Sequence, residues 1–207
     1  GKVVQPNRVM AGSEEIEAKN VIIATGSEPL ELPQFKFDSE KILSSTDILG
    51  LKEIPKSLLI IGGGVIGCEF ACIYAELGTK VSIVEMMPNI LPTEDKELGK
   101  RMALIIKKKG VEILTDTKIE KIEKNAEGIL ASLSNGSTMQ KERALVSVGR
   151  SLNSSRLGLE ELGVKIERGR LQVDECLRTS IPNVYAVGDV IGGLLLAHVA
   201  SHEGLVA

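Results

Sequence analysis

An α/β fold built on a parallel sheet is predicted from three features of this sequence. Leu58-Leu59-Ile60-Ile61 is an unbroken apolar run, the pattern of a strand covered on both faces. It leads directly into Gly62-Gly63-Gly64-Val65-Ile66-Gly67. Residues 65–77 are then apolar almost throughout, and a second strand-like segment, Lys80 to Glu85, ends on an acid. Strand, glycine turn, helix and strand in that order make a βαβ unit.

The flanking elements follow in chain order. Residues 1–24 read as short strands, GKVV, RVMA, EIEA and NVIIA, separated by the turn pairs Pro6-Asn7 and Gly12-Ser13. Residues 28–57 are punctuated by Pro29, Pro33 and Pro55 and read as a connector. Ser57–Ile61 is the first buried strand, and Gly78 offers a stop for the helix that follows the glycine turn. Residues 94–109 form an amphipathic helix whose apolar face is expected at Leu98, Met102, Leu104, Ile105 and Ile106. Val111 to Leu114 is a third strand. Residues 117–147 are expected to be antiparallel strands around a turn at Asn135-Gly136. Beyond Gly149 the chain is looser until Val184-Tyr185-Ala186-Val187, which reads as a strand, and LLLAHVASHEGLVA, which reads as a helix. Three segments are expected: 1–45, a dinucleotide-binding domain over 46–148, and a return segment over 149–207.

Composition narrows the class. With 43% hydrophobic and 26% charged residues the chain is an ordinary globular one. Aromatics make up 2% and Trp is absent, so Val, Ile and Leu fill the core. A net charge of −3 gives no electrostatic reason to expect nucleic acid or an anionic membrane. The run Lys107-Lys108-Lys109 closes a predicted helix and suits its dipole. No segment has the roughly 20 consecutive apolar residues of a membrane span, and GKVVQPNRVM lacks the long apolar stretch of a signal peptide. Three cysteines make no disulfide framework, and a reducing, cytoplasmic setting is expected.

The glycine turn carries the chemistry. A lone GxGxxG is a weak signal, but here it sits between a strand and a helix, with Glu85 ending the next strand. In a Rossmann-type domain Gly62 allows the tight turn, Gly64 lets backbone approach a pyrophosphate, and Gly67 permits close helix–strand packing. The helix N-terminus then offers free N–H groups and partial positive charge to the phosphates. Glu85 is placed to accept from a ribose 2′-hydroxyl, and Met86-Met87-Pro88-Asn89 supplies no cation for a 2′-phosphate. NAD is therefore expected over NADP. Two further pieces are ligand-site candidates or simple turns: Ala24-Thr25-Gly26-Ser27, closing a strand with small residues, and Gly188-Asp189 at a strand end.

Taken in order, VIIATGS, IIGGGVIGCEFA with Glu85, LVSVGR, NVYAVGDV and LLLAHVASHEG resemble the pyridine-nucleotide disulfide oxidoreductases, over essentially the whole chain. The resemblance implies a two-cofactor enzyme that passes electrons from a dithiol through a redox disulfide and FAD to NAD. It also implies that the Rossmann-type NAD-binding domain 46–148 is inserted between 1–45, the second part of an FAD-binding domain, and 149–207, its return segment. Within that family the chain looks most like the members that oxidise the dihydrolipoamide of a lipoyl domain. Other disulfide reductases, a transhydrogenase of the same family, or a catalytically silent NAD-binding piece are the alternatives. Carried over by position, Gly62, Gly63, Gly64, Val65, Ile66, Gly67, Cys68, Glu69, Glu85, Ile119 and Gly149 fall in the NAD site. Val65 takes the place of a side chain over the nicotinamide pocket, and Glu69 that of a glutamate pairing with a flavin-side lysine. Gly1, Thr25, Gly26, Ser27, Asp189, Leu195, Leu196, Ala197 and His198 match FAD contacts, Asp189 at the ribityl chain. The family's own flavin GxGxxG, its Cys-x4-Cys pair and its dimerisation domain with the catalytic His have no counterpart in these residues, so no catalytic residue is assigned.

Two tempting groups read as bland. Cys68 and Cys72 are spaced x3 on one helix, a poor arrangement for a disulfide. His198 and His202 stand four apart but lack a third ligand, so no metal is expected.

Overall fold

In the computed structural model, which describes all 207 residues, Ser57–Ile61 is the central strand of a five-stranded parallel sheet. The order across the sheet is Ile42–Leu43, Arg143–Val146, Ser57–Ile61, Lys80–Val84, Glu112–Leu114. The apolar run needs both faces covered, and both are. Leu58 and Ile60 join one buried cluster with Val81, Ile83, Phe70, Ala71, Tyr74 and Ile106. Leu59 and Ile61 join another with Val84, Ile119, Ile129, Ala131 and Leu133. Each Leu or Ile so buried contributes about 1.5–3 kcal/mol relative to exposure.

Helix α1, Val65–Glu76, covers the first face. It stops where expected: Gly78 takes φ +88°, its N–H bonded to the Ala75 carbonyl at 3.0 Å. Helix α2, Lys96–Lys108, starts at Asp95, whose carboxylate accepts from the N–H groups of Glu97 (2.9 Å) and Leu98 (3.3 Å). Its buried stripe differs from expectation. Gly99 and Ile106 are buried and Met102 and Ala103 pack on the core, whereas Leu98, Leu104 and Ile105 are exposed. The spacing 99, 102, 103, 106 is one narrow seam, and the other apolar residues lie outside it.

The second face is covered by an antiparallel sheet, Ile119–Asn125, Gly128–Leu133 and Thr138–Lys141. Asn135-Gly136 makes its turn, with Gly136 at φ +82° and the Asn135 Oδ1 accepting from the Ser137 N–H and hydroxyl. The antiparallel reading ends there. Arg143–Val146 instead enters the parallel sheet, because Ala144 and Val146 face one cluster and Leu145 the other. The connector also departs from expectation: Ile42–Leu43 is an edge strand of the main sheet, too short to show a pattern in sequence. Its approach is fixed by Asp38, whose carboxylate accepts from the N–H groups of Glu40, Lys41 and Ile42.

By contacts the chain divides into two units, 29–149 and 1–28 with 150–207. Residues 29–45 thus fold with the glycine turn rather than with the segment before them. In the other unit Lys2–Gln5, Arg8–Ala11 and Glu14–Glu17 form an antiparallel sheet, and Val21–Ile23 pairs in parallel with Val184–Ala186. Val3, Val21, Ile23, Leu171, Val184 and Ala186 are its core. Helix α3, Ala197–Val206, begins after the three leucines expected to open it and buries no residue. No helix of the chain is long and apolar enough to cross a membrane.

Candidate functional site

The end of the central strand and the start of α1 show what each glycine is for. Gly62 stands at φ +103°, and a Cβ there falls 2.5 Å from the Ser147 carbonyl oxygen. A Cβ on Gly67 falls 2.1 Å from the Gly62 carbonyl oxygen, so helix and strand touch backbone to backbone. A Cβ on Gly64 meets nothing within 4 Å. Gly64 is therefore on the open side of the turn, and Gly62 and Gly67 on the closed side. Gly64 also caps α1 with extended backbone (φ −71°, ψ −175°) and no side chain. The N–H groups of the first turn have no side-chain cap, and the positive end of the helix lies behind them.

Glu85 follows the neighbouring strand and is 5% exposed. Its carboxylate is shared: Oε2 accepts from the Gly63 N–H at 2.6 Å and Oε1 from the Met87 N–H at 2.7 Å. Each oxygen keeps a second lone pair for an incoming hydroxyl donor. The Cys68 side chain is buried and turned from the open side, donating to the Gly63 carbonyl at 3.4 Å. Burial, reinforced by Cys72, Glu85 and Glu69, pushes its thiol up to about 12. Val65 is half exposed at the first turn of α1, Ile66 partly buried, and Glu69 exposed one turn further on. Ile119 packs in the core under the main sheet, and Gly149 stands at φ +136° with its carbonyl accepting from Leu30. All these residues belong to the unit 29–149.

The remaining expected residues all fall in the other unit. Because Ile23 pairs with Ala186, Thr25-Gly26-Ser27 and Gly188-Asp189 emerge from the same ends of two parallel strands, the edge where such sheets bind ligands. Ser27 Oγ donates to Asp189 Oδ2 at 2.5 Å. Thr25 Oγ1 donates to the Asn153 carbonyl at 2.6 Å, and Gly26, at φ +68°, accepts from the Asn153 N–H. Leu195, Leu196, Ala197 and His198 are exposed where α3 begins. Helix α3 is tied to the Asp189 turn by Glu203, which accepts from the Gly188 N–H at 2.7 Å. Gly1 lies by the Met10 carbonyl on the small antiparallel sheet.

Sequence reasoning missed two participants. Arg150 donates through Nε to Ser27 Oγ (2.5 Å) and through Nη2 to the Ser27 carbonyl (2.8 Å), so Ser27 and Asp189 are held by a cation 123 positions from Ser27. Its place in SVGR was the one available signal. Ser147, in the same motif, sets its hydroxyl 3.1 Å from the carbonyls of both Ile61 and Gly62.

Comparison with known proteins places this arrangement. The sequence matches the pyridine nucleotide-disulphide oxidoreductase family over residues 1–204. It is 47% identical over 193 residues to dihydrolipoyl dehydrogenase of Geobacillus stearothermophilus, covering 91% of this chain and 41% of that protein. The dihydrolipoyl dehydrogenase of Acholeplasma laidlawii is 42% identical, covering 100% of this chain and 62% of that one. Among solved structures, LpdA of Mycobacterium tuberculosis superposes with a TM-score of 0.89 at 33% identity, over 96% of this chain and 44% of that one. The HOCl-induced flavoprotein disulfide reductase RclA of Escherichia coli, as its Cu(II) complex, superposes at 0.91 with 29% identity, over 100% of this chain and 48% of that one. The chain thus spans less than half the length of most of these relatives. A glycine turn open only at Gly64, a buried acid beside it and a family match over nearly every residue agree: the chain belongs to the pyridine nucleotide-disulphide oxidoreductase family.

Proposed function

We propose that the unit 29–149 binds NAD, and that the whole protein oxidises the dihydrolipoamide of a lipoyl domain with NAD through FAD, as a dihydrolipoyl dehydrogenase. The observation that carries the first part is the phosphate turn: three of its glycines are walled in and the fourth, Gly64, faces open space. There the N–H groups of the first turn of α1 hold the pyrophosphate, and Glu85 accepts from the ribose hydroxyls. NAD, when bound, supplies the two-electron acceptor. Exclusion of NADP rests on Glu85, whose carboxylate repels a 2′-phosphate. Identities of 42–47% to dihydrolipoyl dehydrogenases, against 29% to the disulfide reductase RclA, favour lipoamide over other disulfides.

For FAD, Thr25, Gly26, Ser27 and Asp189 line one strand edge, with Asp189 as acceptor for a sugar-alcohol hydroxyl. Leu195, Leu196, Ala197 and His198 extend that edge. The 207 residues contain no Cys-x4-Cys pair, so they are not expected to oxidise dihydrolipoamide by themselves. Their one GxGxxG turn is the one assigned to NAD, so without a flavin pyrophosphate loop they are not expected to hold FAD tightly. Calorimetric titration with NADH and NADPH tests the first claim: NADH is expected to bind at least tenfold more tightly, and the reverse order overturns it. NADH formation from dihydrolipoamide with added FAD, above the buffer rate, overturns the second.

A further inference from the structure

The spacing G-x-G-x-x-G leaves its second position free, yet that position is Gly63 here. Its backbone does not require glycine, since Gly63 is not among the residues with positive φ. A side chain is excluded for another reason: a Cβ on Gly63 would lie 2.8 Å from Ile90 Cγ2, 3.2 Å from Glu85 Cβ and 3.3 Å from Ile90 Cβ. Ile90 is itself buried at 1% exposure and held from behind, where a Cβ on Gly99 of α2 would fall 2.8 Å from the Ile90 carbonyl oxygen. The next residue, Leu91, takes φ +52°, uncommon for a branched side chain, and Pro92 follows it. That turn aims the Leu91 N–H at the Gly63 carbonyl, at 2.7 Å. Gly63 is thus held on both its flanking peptides, by Glu85 on its N–H and Leu91 on its carbonyl, with Ile90 filling the place a Cβ would take. Backbone strain at a bulky residue persists where surrounding packing over-determines it, and such positions gather at binding sites.

We propose that Ile90, set in place by the left-handed turn at Leu91, is a positioning residue that fixes the height of the Gly63 peptide. Through it Ile90 sets the direction of the first-turn N–H groups of α1. The proposal rests on the reading of this turn as the dinucleotide site. Ile90 touches no ligand; it acts through Gly63.

The test is a double-mutant cycle in the 207-residue chain with two readouts, NAD affinity by calorimetry and amide exchange at residues 63–68 without ligand. Gly63→Ala collides with Ile90 Cγ2 and is expected to weaken NAD at least tenfold and speed exchange across the turn. Ile90→Leu moves the branch from Cβ to Cγ at constant volume, withdrawing the Cγ2 that rests against Gly63, and is expected to weaken NAD about threefold and speed exchange across the turn. An Ile90→Leu chain that matches the parent in both readouts counts against the proposal. The pair together is expected to recover to within threefold of Ile90→Leu, with exchange slowed again. A double variant as weak as Gly63→Ala overturns the proposal, as does a Gly63→Ala chain that matches the parent in both readouts. If the parent does not bind NAD, the dinucleotide reading fails, and exchange in the ligand-free chains still decides whether Ile90 positions the turn. Where Gly63→Ala does not fold, recovery of a cooperatively unfolding double variant is the same compensation, and its failure to appear counts against the proposal.

Discussion

The Glu85 carboxylate is bonded to the Gly63 amide, 22 residues earlier in the chain, at 2.6 Å, and to the Met87 amide at 2.7 Å. One side chain therefore ties the second strand of the βαβ unit to the glycine turn of the first. The acid expected to read a ribose also organises the loop beside it.

Glu85→Gln separates the two roles. A carboxamide has one acceptor oxygen, so one of the two N–H groups loses its partner and faces an NH2. Leaving a buried donor unsatisfied costs about 1–3 kcal/mol. Thermal and denaturant unfolding should show that loss, and calorimetry should show NAD binding weakened by an order of magnitude or more. At 5% exposure the site has no room for Arg, so a Glu85→Arg exchange aimed at NADP is expected to unfold the turn first.

Gly64→Ala and Gly67→Ala should fail in opposite ways. A Cβ on Gly67 lands 2.1 Å from the Gly62 carbonyl oxygen, forcing α1 off the sheet, and overpacking of this kind costs about 1–3 kcal/mol or more. A Cβ on Gly64 meets nothing within 4 Å, so stability should stay within about 1 kcal/mol of the parent, the usual range for a cap change. NAD affinity should nevertheless fall, because the methyl occupies the face where the pyrophosphate approaches. Equal stability losses in the two variants would show that the open side has been misassigned.

That contrast marks what sequence reveals. Gly62, Gly64, Gly67 and Glu85 were legible because spacing and context encode them: an apolar run, a turn, a helix and an acid in fixed order. The parallel sheet was legible for the same reason at Leu58–Ile61. Direction was not legible where apolar residues exceed what one face needs, so Leu98, Leu104 and Ile105 of α2 stand exposed while Gly99 is buried. Nor were bonds between distant side chains and backbone, such as Arg150 to Ser27. The left-handed turn at Leu91 leaves no trace either, because no residue there favours positive φ.

Asp38 gives the unit 29–149 an acid sensitivity. Burial alone raises its carboxyl, but the Lys124 ammonium at 2.5 Å and the N–H groups of Ile42, Glu40 and Lys41 outweigh that and hold it at about 2, below the ordinary 3.8. A carboxyl depressed in the folded state contributes stability that is complete above its unfolded value and lost as pH falls through the folded one. The window here is about pH 4 down to pH 2. Because the residue is partly solvated, the contribution is on the order of 1 kcal/mol. Asp38→Asn should remove most of this contribution at pH 7 and flatten the pH dependence of the unfolding midpoint between pH 4 and pH 2. An unchanged slope would assign the acid response elsewhere.

The three thiols should react in the order of their exposure, and none should cycle. Cys176 is exposed, Cys72 partly buried and Cys68 buried. Attack on a disulfide reagent requires thiolate, and the Cys68 thiol, pushed up to about 12 by burial and nearby negative charge, supplies almost none at pH 8. Its proton is engaged by the Gly63 carbonyl, so ionisation would also release a contact that helps hold the glycine turn. With an aromatic disulfide reagent at pH 8, Cys176 is expected to react first, Cys72 more slowly and Cys68 only on unfolding. Mild oxidation followed by a dithiol should then return the same thiol count, since Cys68 and Cys72 lie one turn apart on α1 with side chains poorly placed for the disulfide geometry. A reversible loss of two thiols, abolished by Cys68→Ser and accompanied by a change in NAD affinity, would instead make this pair a redox element beside the nucleotide site.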